Sequence, residues 1–258
     1  FSPNFLMAEW EQVVDAWQLE TWEDYRDVAR LGRKTRLPEA QRQTLWSIFE
    51  IVRTELTKRN LVTEAERFNA LAKAITNKQA VIFDHAVVDE AQDISVAHLR
   101  FFAALGNDRP NALFFAGDLG QRIFQQPFSW KSLGVDIRGR SRTLRVNYRT
   151  SHQIRTQADR LLGPVVTDVD GNTEERNKTV SVFNGIPPLI DELDDEEQEI
   201  EALGKWLKAL ADDGIAPHEF GVFVRSVSEI PRAQRAVEAS RMSYKVLDVD
   251  IETAAGHV

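Results

Sequence analysis

Across residues 5–76 apolar side chains recur at three- and four-residue spacing, the period of an amphipathic helix. Trp10, Val13, Val14 and Trp17 mark a first helix, and residues 21–31 predict a second. Leu37-Pro38 then interrupts the pattern, and Pro38 suits a first helical turn, where its missing N–H costs nothing. From there to about Lys58, one stripe is formed by Leu45, Ile48, Phe49, Val52 and Leu56. Thr63 with Glu66 reads as a capping box for a helix reaching about Ile75. The aromatic residues of these stripes read as core, and nothing in this region carries chemistry.

At residue 81 the period changes. His85-Ala-Val-Val-Asp89 is a short apolar run that ends in acid, and Ala112-Leu-Phe-Phe-Ala116 is another, followed by Gly117-Asp118. Residues 94–105 between them suit a helix. Strand, helix and strand with polar residues at the strands' C-terminal ends predict a parallel α/β sheet, and such sheets bind ligands outside those ends. A second α/β pattern follows, with strands expected at 179–183, 188–192, 221–225 and 244–248 and helices at 195–210 and 230–240. Residues 168–172, DVDGN, predict a surface turn.

The charge is uneven. The net charge of −8 comes from one run, DELDDEEQEIE at 191–201, without which acids and bases balance at 32 each. Acids in the first turn of the 195–210 helix are favoured by its macrodipole, and the rest of the run reads as a solvated face. Global acidity is therefore weak evidence against a nucleic-acid partner. Residues 138–160 show the opposite bias, with seven arginines against Asp159. The chain has no cysteine, which removes disulfides, thiolate metal sites and cysteine nucleophiles and fits a reducing compartment. No apolar run approaches the length of a membrane span, and the N-terminus lacks the basic-then-apolar order of a signal peptide. A cytoplasmic protein is the expectation, and a start other than Met suggests a piece of a longer one.

Three segments carry candidate chemistry. Val87-Val88-Asp89-Glu90-Ala91-Gln92-Asp93 places two adjacent carboxylates at the end of an apolar strand. In a nucleotide hydrolase one of them holds Mg²⁺ through its water shell and the other orients and deprotonates water; otherwise they are solvated acids at a strand end. Gly117-Asp118-Leu119-Gly120-Gln121 sets a neutral amide just past the next strand. That amide can sense a γ-phosphate, or the segment is an ordinary turn. Leu144-Arg-Val-Asn147-Tyr148-Arg149-Thr150-Ser151 offers an arginine for phosphate and a flat ring for a base, or a basic surface with a packed tyrosine.

Taken in order, DEAQD, GDLGQRIF and LRVNYRTS resemble the motifs of UvrD/Rep-type superfamily 1A DNA helicases, closely over residues 81–162 and more loosely beyond. The resemblance implies a P-loop NTPase, RecA-like α/β fold. Residues 1–78 would be a helical insertion, 79–143 the second half of a first motor domain, and 144–258 an incomplete second one. It implies an ATP-dependent helicase or translocase moving 3′-to-5′ on single-stranded or tailed duplex DNA, with Mg²⁺ and ATP bound at the cleft between motor domains. Asp89 would be the magnesium residue, with Glu90 as catalytic base beside the metal. Gln121 would contact the γ-phosphate, Arg149 would reach it from the second domain, and Tyr148 would stack on adenine. Phe124 and Trp130 would stack on DNA bases, with Lys131 beside them and the arginine-rich stretch on phosphates.

The chain also departs from that pattern. Five residues, Gln125 to Ser129, separate Phe124 from Trp130 where the family has one, and Lys131 replaces an arginine. No phosphate cradle of the form GxxxxGK plus Ser or Thr is present, Gly32-Arg-Lys34-Thr35 lacking its first glycine. The family's last motifs are missing too. Such a piece is expected to be inactive alone, and the alternative is a non-catalytic, helicase-like module that binds DNA or protein. A weaker possibility is an ATPase that remodels protein–DNA complexes without unwinding. No GxSxG nucleophile elbow occurs. The histidines at 85, 98, 152, 218 and 257 lack metal-ligand spacing and read as structural or exposed.

Overall fold

The computed structural model describes residues 1–30, 37–78, 81–122 and 127–247. Residues 1–188 and residues 189 onward form two separate compact units. The protein is mixed α/β with short parallel strand pairs. Among the described residues no helix is long and apolar enough to cross a membrane.

The first unit opens with α1 (Pro3–Glu9), a π-helical turn (Trp10–Val14) and α2 (Asp15–Trp17), closed by left-handed Gln18. Then come α3 (Trp22–Asp27), α4 (Glu39–Lys58) and α5 (Glu64–Lys78). Thr21 and Asp24 cap α3 reciprocally. Thr63 and Glu66 do the same for α5, at 3.1 and 2.9 Å, as the spacing predicts. The Thr63 hydroxyl also donates to Asp15 at 2.7 Å, tying α5 to α2. Helix α3 ends short of the expected residue 31, which lies outside the described residues. The Arg42 guanidinium takes the Arg26 carbonyl, so that acceptor is satisfied without another helical turn. Pro38 sits one position before α4 rather than in its first turn. The aromatic stripes form core, as expected: Val14, Tyr25, Leu45 and Phe49 are fully buried. Glu9 is buried among them and accepts from the Tyr25 hydroxyl at 2.8 Å and from Arg30. A buried carboxylate is tolerated because it is paired in this way.

The α/β part follows. Strand β1 (Ala86–Val88), helix α6 (Val96–Gly106) and strand β2 (Leu113–Phe115) make the predicted strand–helix–strand. The strands pair in parallel with Val87 opposite Phe114 and Val88 opposite Phe115. Ser95 and His98 cap α6, and left-handed Asn107 ends it. Leu99, Val96, Ala91, Phe128 and Trp130 form a second core beneath one sheet face. Val87 and Phe114 leave the opposite face 75% and 62% exposed.

Beyond lie β3 (Val146–Asn147), α7 (His152–Asp159), a hairpin of β4 (Val165–Thr167) and β5 (Thr173–Glu175), and β6 (Val180–Ser181). Strands β3 and β6 pair in parallel. The hairpin has no counterpart among the expected strands. Its turn is the expected DVDGN segment, where the Asp168 carboxylate accepts from Asp170 and Asn172 backbone N–H groups at 3.0 and 2.8 Å.

The second unit holds α8 (Glu196–Asp212) and α9 (Ile230–Ala239). Asp195 caps α8 and three glutamates occupy its first turn, the expected local use of the acidic run. The helices meet where Gly204 lies against Ala236 and Ala239, burying Ile200, Leu207 and Val237. Three expected strands do not form. Residues 188–192 and 221–225 have no ladder partner among the described residues, and Ile190 and Phe223 are exposed. Residues 244–247 likewise form no strand, and residue 248 lies outside the described residues. An apolar run becomes a strand only when a neighbour takes its backbone groups.

Candidate nucleotide site at the strand ends

The parallel register of β1 and β2 brings Asp89-Glu90 and Gly117-Asp118 side by side at the carboxyl ends of both strands. The backbone continues the pairing past the strands. Ala116 N–H donates to the Val88 carbonyl and Ala91 N–H to the Ala116 carbonyl, both at 2.8 Å. Glu90 turns the chain sharply in the left-handed region, at φ 50°. That conformation is uncommon for a residue with a side chain. The Asp89 carboxylate accepts the Glu90 backbone N–H at 2.9 Å, and both acids are exposed to solvent.

Gln92 then bridges the two strand ends. It is 6% exposed, and its amide N–H donates to Glu90 Oε2 at 2.6 Å. Its oxygen accepts the Asp118 backbone N–H at 3.1 Å. Gly117 makes this approach possible, because a Cβ there would stand 2.7 Å from the Gln92 oxygen and 3.0 Å from the Ala91 nitrogen. Asp118 in turn accepts the Gln121 side-chain amide at 2.9 Å. Glu90 is therefore linked to Gln121 through Gln92, the Asp118 backbone N–H and, across that residue, the Asp118 carboxylate. Burial pushes the Asp118 carboxyl up, but the Gln121 amide, the Gly120 N–H and Arg176 outweigh it and hold the carboxyl below its ordinary value.

The third motif is placed differently. Asn147 in β3 accepts the Arg149 and Thr150 backbone N–H groups at 2.9 and 3.3 Å, which fixes a turn. The Tyr148 ring is 74% exposed and Arg149 is exposed. Among the described residues no hydrogen bond or ion pair joins either side chain to Asp89, Glu90 or Gln121.

The DNA-contact expectations fare unevenly. Trp130 is 7% exposed and packs edge to face on Phe115 at 4.9 Å. Asp170, from the hairpin turn, caps the segment, accepting Trp130 and Lys131 backbone N–H groups at 2.7 and 3.1 Å. Lys131 is exposed. Phe124 lies outside the described residues. The arginine stretch divides as well. Arg138 is paired with Asp136, and Arg155 is committed to backbone carbonyls and Asp159, while Arg142, Arg145 and Arg149 are exposed.

Among the described residues no group of three or more His, Cys, Asp or Glu is arranged to hold a metal. Asp89 and Glu90 are two adjacent exposed carboxylates, short of such a group. Mg²⁺ at nucleotide sites takes one or two carboxylates, keeps several waters and shares its remaining positions with phosphate oxygens.

Sequence reasoning misses Gln92 as a bridge, although it stands inside the DEAQD motif. It also misses the cluster of Arg176 with Asp159 and Arg155: the latter two stand in the arginine-rich stretch, read there for charge alone, and Arg176 lies outside every motif. No protein-family model matches this chain, and no curated protein matches it.

Proposed function

We propose that this chain is part of an ATP-driven motor that moves 3′-to-5′ on single-stranded DNA, built on a P-loop NTPase, RecA-like fold. The observation that supports this most is the link from Glu90 to Gln121 through Gln92 and Asp118 across adjacent parallel strand ends. A water-activating carboxylate and a neutral amide are then held by one short relay, the arrangement hydrolysis of a terminal phosphate asks for. Asp89 with Glu90 would hold Mg²⁺, which supplies charge neutralisation on the phosphates. Glu90 takes the proton of the attacking water, and Gln121 reports the γ-phosphate. Arg149, exposed on its turn, adds positive charge when the nucleotide is enclosed, and Tyr148 offers its open ring to the base. The polarity comes from the family resemblance.

The test is steady-state ATP turnover by the uninterrupted gene product, with and without single-stranded DNA. Glu90→Gln is expected to lower kcat by at least about 100-fold while nucleotide still binds, since removal of a general base costs about that much. Retained turnover in Glu90→Gln removes the base assignment. No turnover in the parent protein, with DNA binding intact, moves the reading to a helicase-like binding module.

A further inference from the structure

Asp118 does more than end a strand. One of its carboxylate oxygens accepts the Gln121 amide at 2.9 Å. The other accepts the Gly120 N–H at 2.8 Å and the Arg176 guanidinium at 3.0 Å. Arg176 follows the β4–β5 hairpin, 58 residues further along the chain. Its side chain is 14% exposed and is fixed from several directions. Asp159, the last residue of α7, accepts from its Nε at 3.0 Å, and Glu174 of β5 lies 3.7 Å away. Arg155 of α7 completes the support, donating to the Arg176 carbonyl at 2.6 Å and meeting Asp159 at 3.1 Å.

The fit is close. A Cβ on Gly120 would run into the Arg176 guanidinium and stand 2.9 Å from the Leu162 methyl. The turn bearing Gln121 is thus shaped around this arginine. Arg176 bonds Asp118, and Asp118 bonds Gln121, so any influence of Arg176 on the amide passes through the carboxylate.

We propose that Asp118 is the positioning residue for Gln121 and that Arg176 sets Asp118. The α7-to-β5 segment then controls where the amide points. The catalytic consequence rests on the γ-phosphate reading of Gln121; the positioning itself does not. A 1 Å displacement of a phosphate-contacting group costs up to about 100-fold in rate, so the link would let movement of this segment switch hydrolysis.

Two readouts test it. The first needs no nucleotide: the side-chain amide resonance of Gln121 in this 258-residue chain. Asp118→Asn and Arg176→Gln are each expected to move it toward the position of a solvent-exposed glutamine. An amide unmoved in folded Arg176→Gln overturns the proposal. Should Arg176→Gln fail to fold, Gly120→Ala displaces the guanidinium while keeping every polar group, and the same shift is expected. The second is ATP turnover by the uninterrupted gene product with single-stranded DNA. Arg176→Gln is expected to lower kcat about tenfold or more and leave the KM for ATP within about twofold. Combined with Gln121→Ala it should be no slower than Gln121→Ala alone, because residues acting through one another are not additive. Effects that multiply would show that Arg176 acts elsewhere and would overturn the link. A parent without turnover but with a shifted amide supports the positioning and defeats only the hydrolase reading.

Discussion

Asp118 illustrates how one side chain can hold several loops together and make them sensitive to acid. Its carboxyl lies below the ordinary value of 3.8 despite burial, through Gln121, Gly120 and Arg176. A depressed carboxyl stabilises the fold above its unfolded pKa and loses that contribution as pH falls through its folded pKa. Glu174 runs the other way. Burial and the nearby Asp118 charge raise its pKa, so protonation favours the folded state and offsets part of the acid sensitivity. Asp118→Asn is therefore expected to destabilise the chain at pH 7 and to do so by less at a pH below 3.8, where the carboxylate starts to lose its contribution. Urea midpoints at the two pH values check this. A gap between the proteins that stays constant would show that Asp118 has the same pKa folded and unfolded.

At the scale of elements, what is legible in the sequence and what is hidden have one cause, the range of the interactions involved. Helix starts depend on residues three apart, so the Thr63–Glu66 box is readable from the order of residues alone. The strand–helix–strand with acids at its ends is readable for the same reason, its pattern lying within about thirty residues, the size of one such unit. The strands expected at 188–192 and 221–225 fail because their apolar runs specify burial and leave the hydrogen-bond partner unnamed. The surroundings of Trp130 are hidden for the same reason: it packs on Phe115, and its segment is capped by an aspartate 40 residues away. The Arg176 contacts are invisible because nothing local marks an arginine that pairs across 58 residues. Where a cap is local, its removal has a predictable cost. Thr63→Ala should destabilise the first unit by about 1 kcal/mol for the cap. The lost bond to Asp15 adds to this, and Thr63→Ser should restore most of the stability by keeping the hydroxyl. Chemical denaturation of the three proteins decides it, and a Thr63→Ala midpoint equal to the parent's would show the box to be ornamental.

Across the whole molecule, net charge is a poor guide to partners, because acids and bases occupy different places. The acidic run sits around the start of α8 in the second unit, whereas the exposed arginines 142, 145 and 149 lie in the first. A polyanion responds to the local field within a Debye length of about 8 Å at physiological salt rather than to the sum over the chain. Not every arginine in the basic stretch is available to it. Arg138 is spent on Asp136, and Arg155 holds backbone carbonyls. Arg140 and Arg160 are exposed too but are held by the neutral Asn111 and Gln157 side chains, and Arg149 is reserved for phosphate of the nucleotide in the proposed motor, so Arg142 and Arg145 are the exposed pair chosen for the test. Each phosphate neutralised on a single strand contributes about 0.7 to the slope of log affinity against log salt. Arg142→Ala with Arg145→Ala is thus expected to weaken binding to single-stranded DNA about equally for all sequences and to flatten that slope by about 1.4. Arg138→Ala serves as the contrast, since its charge is already balanced, and its slope should match the parent's. A titration of fluorescent oligonucleotide between about 50 and 200 mM salt, the range over which such contacts act, measures all three proteins. Equal slopes in the parent and the double variant would place the DNA surface away from this stretch, whereas a flattened slope only in Arg138→Ala would mean that the Asp136 pairing opens on binding.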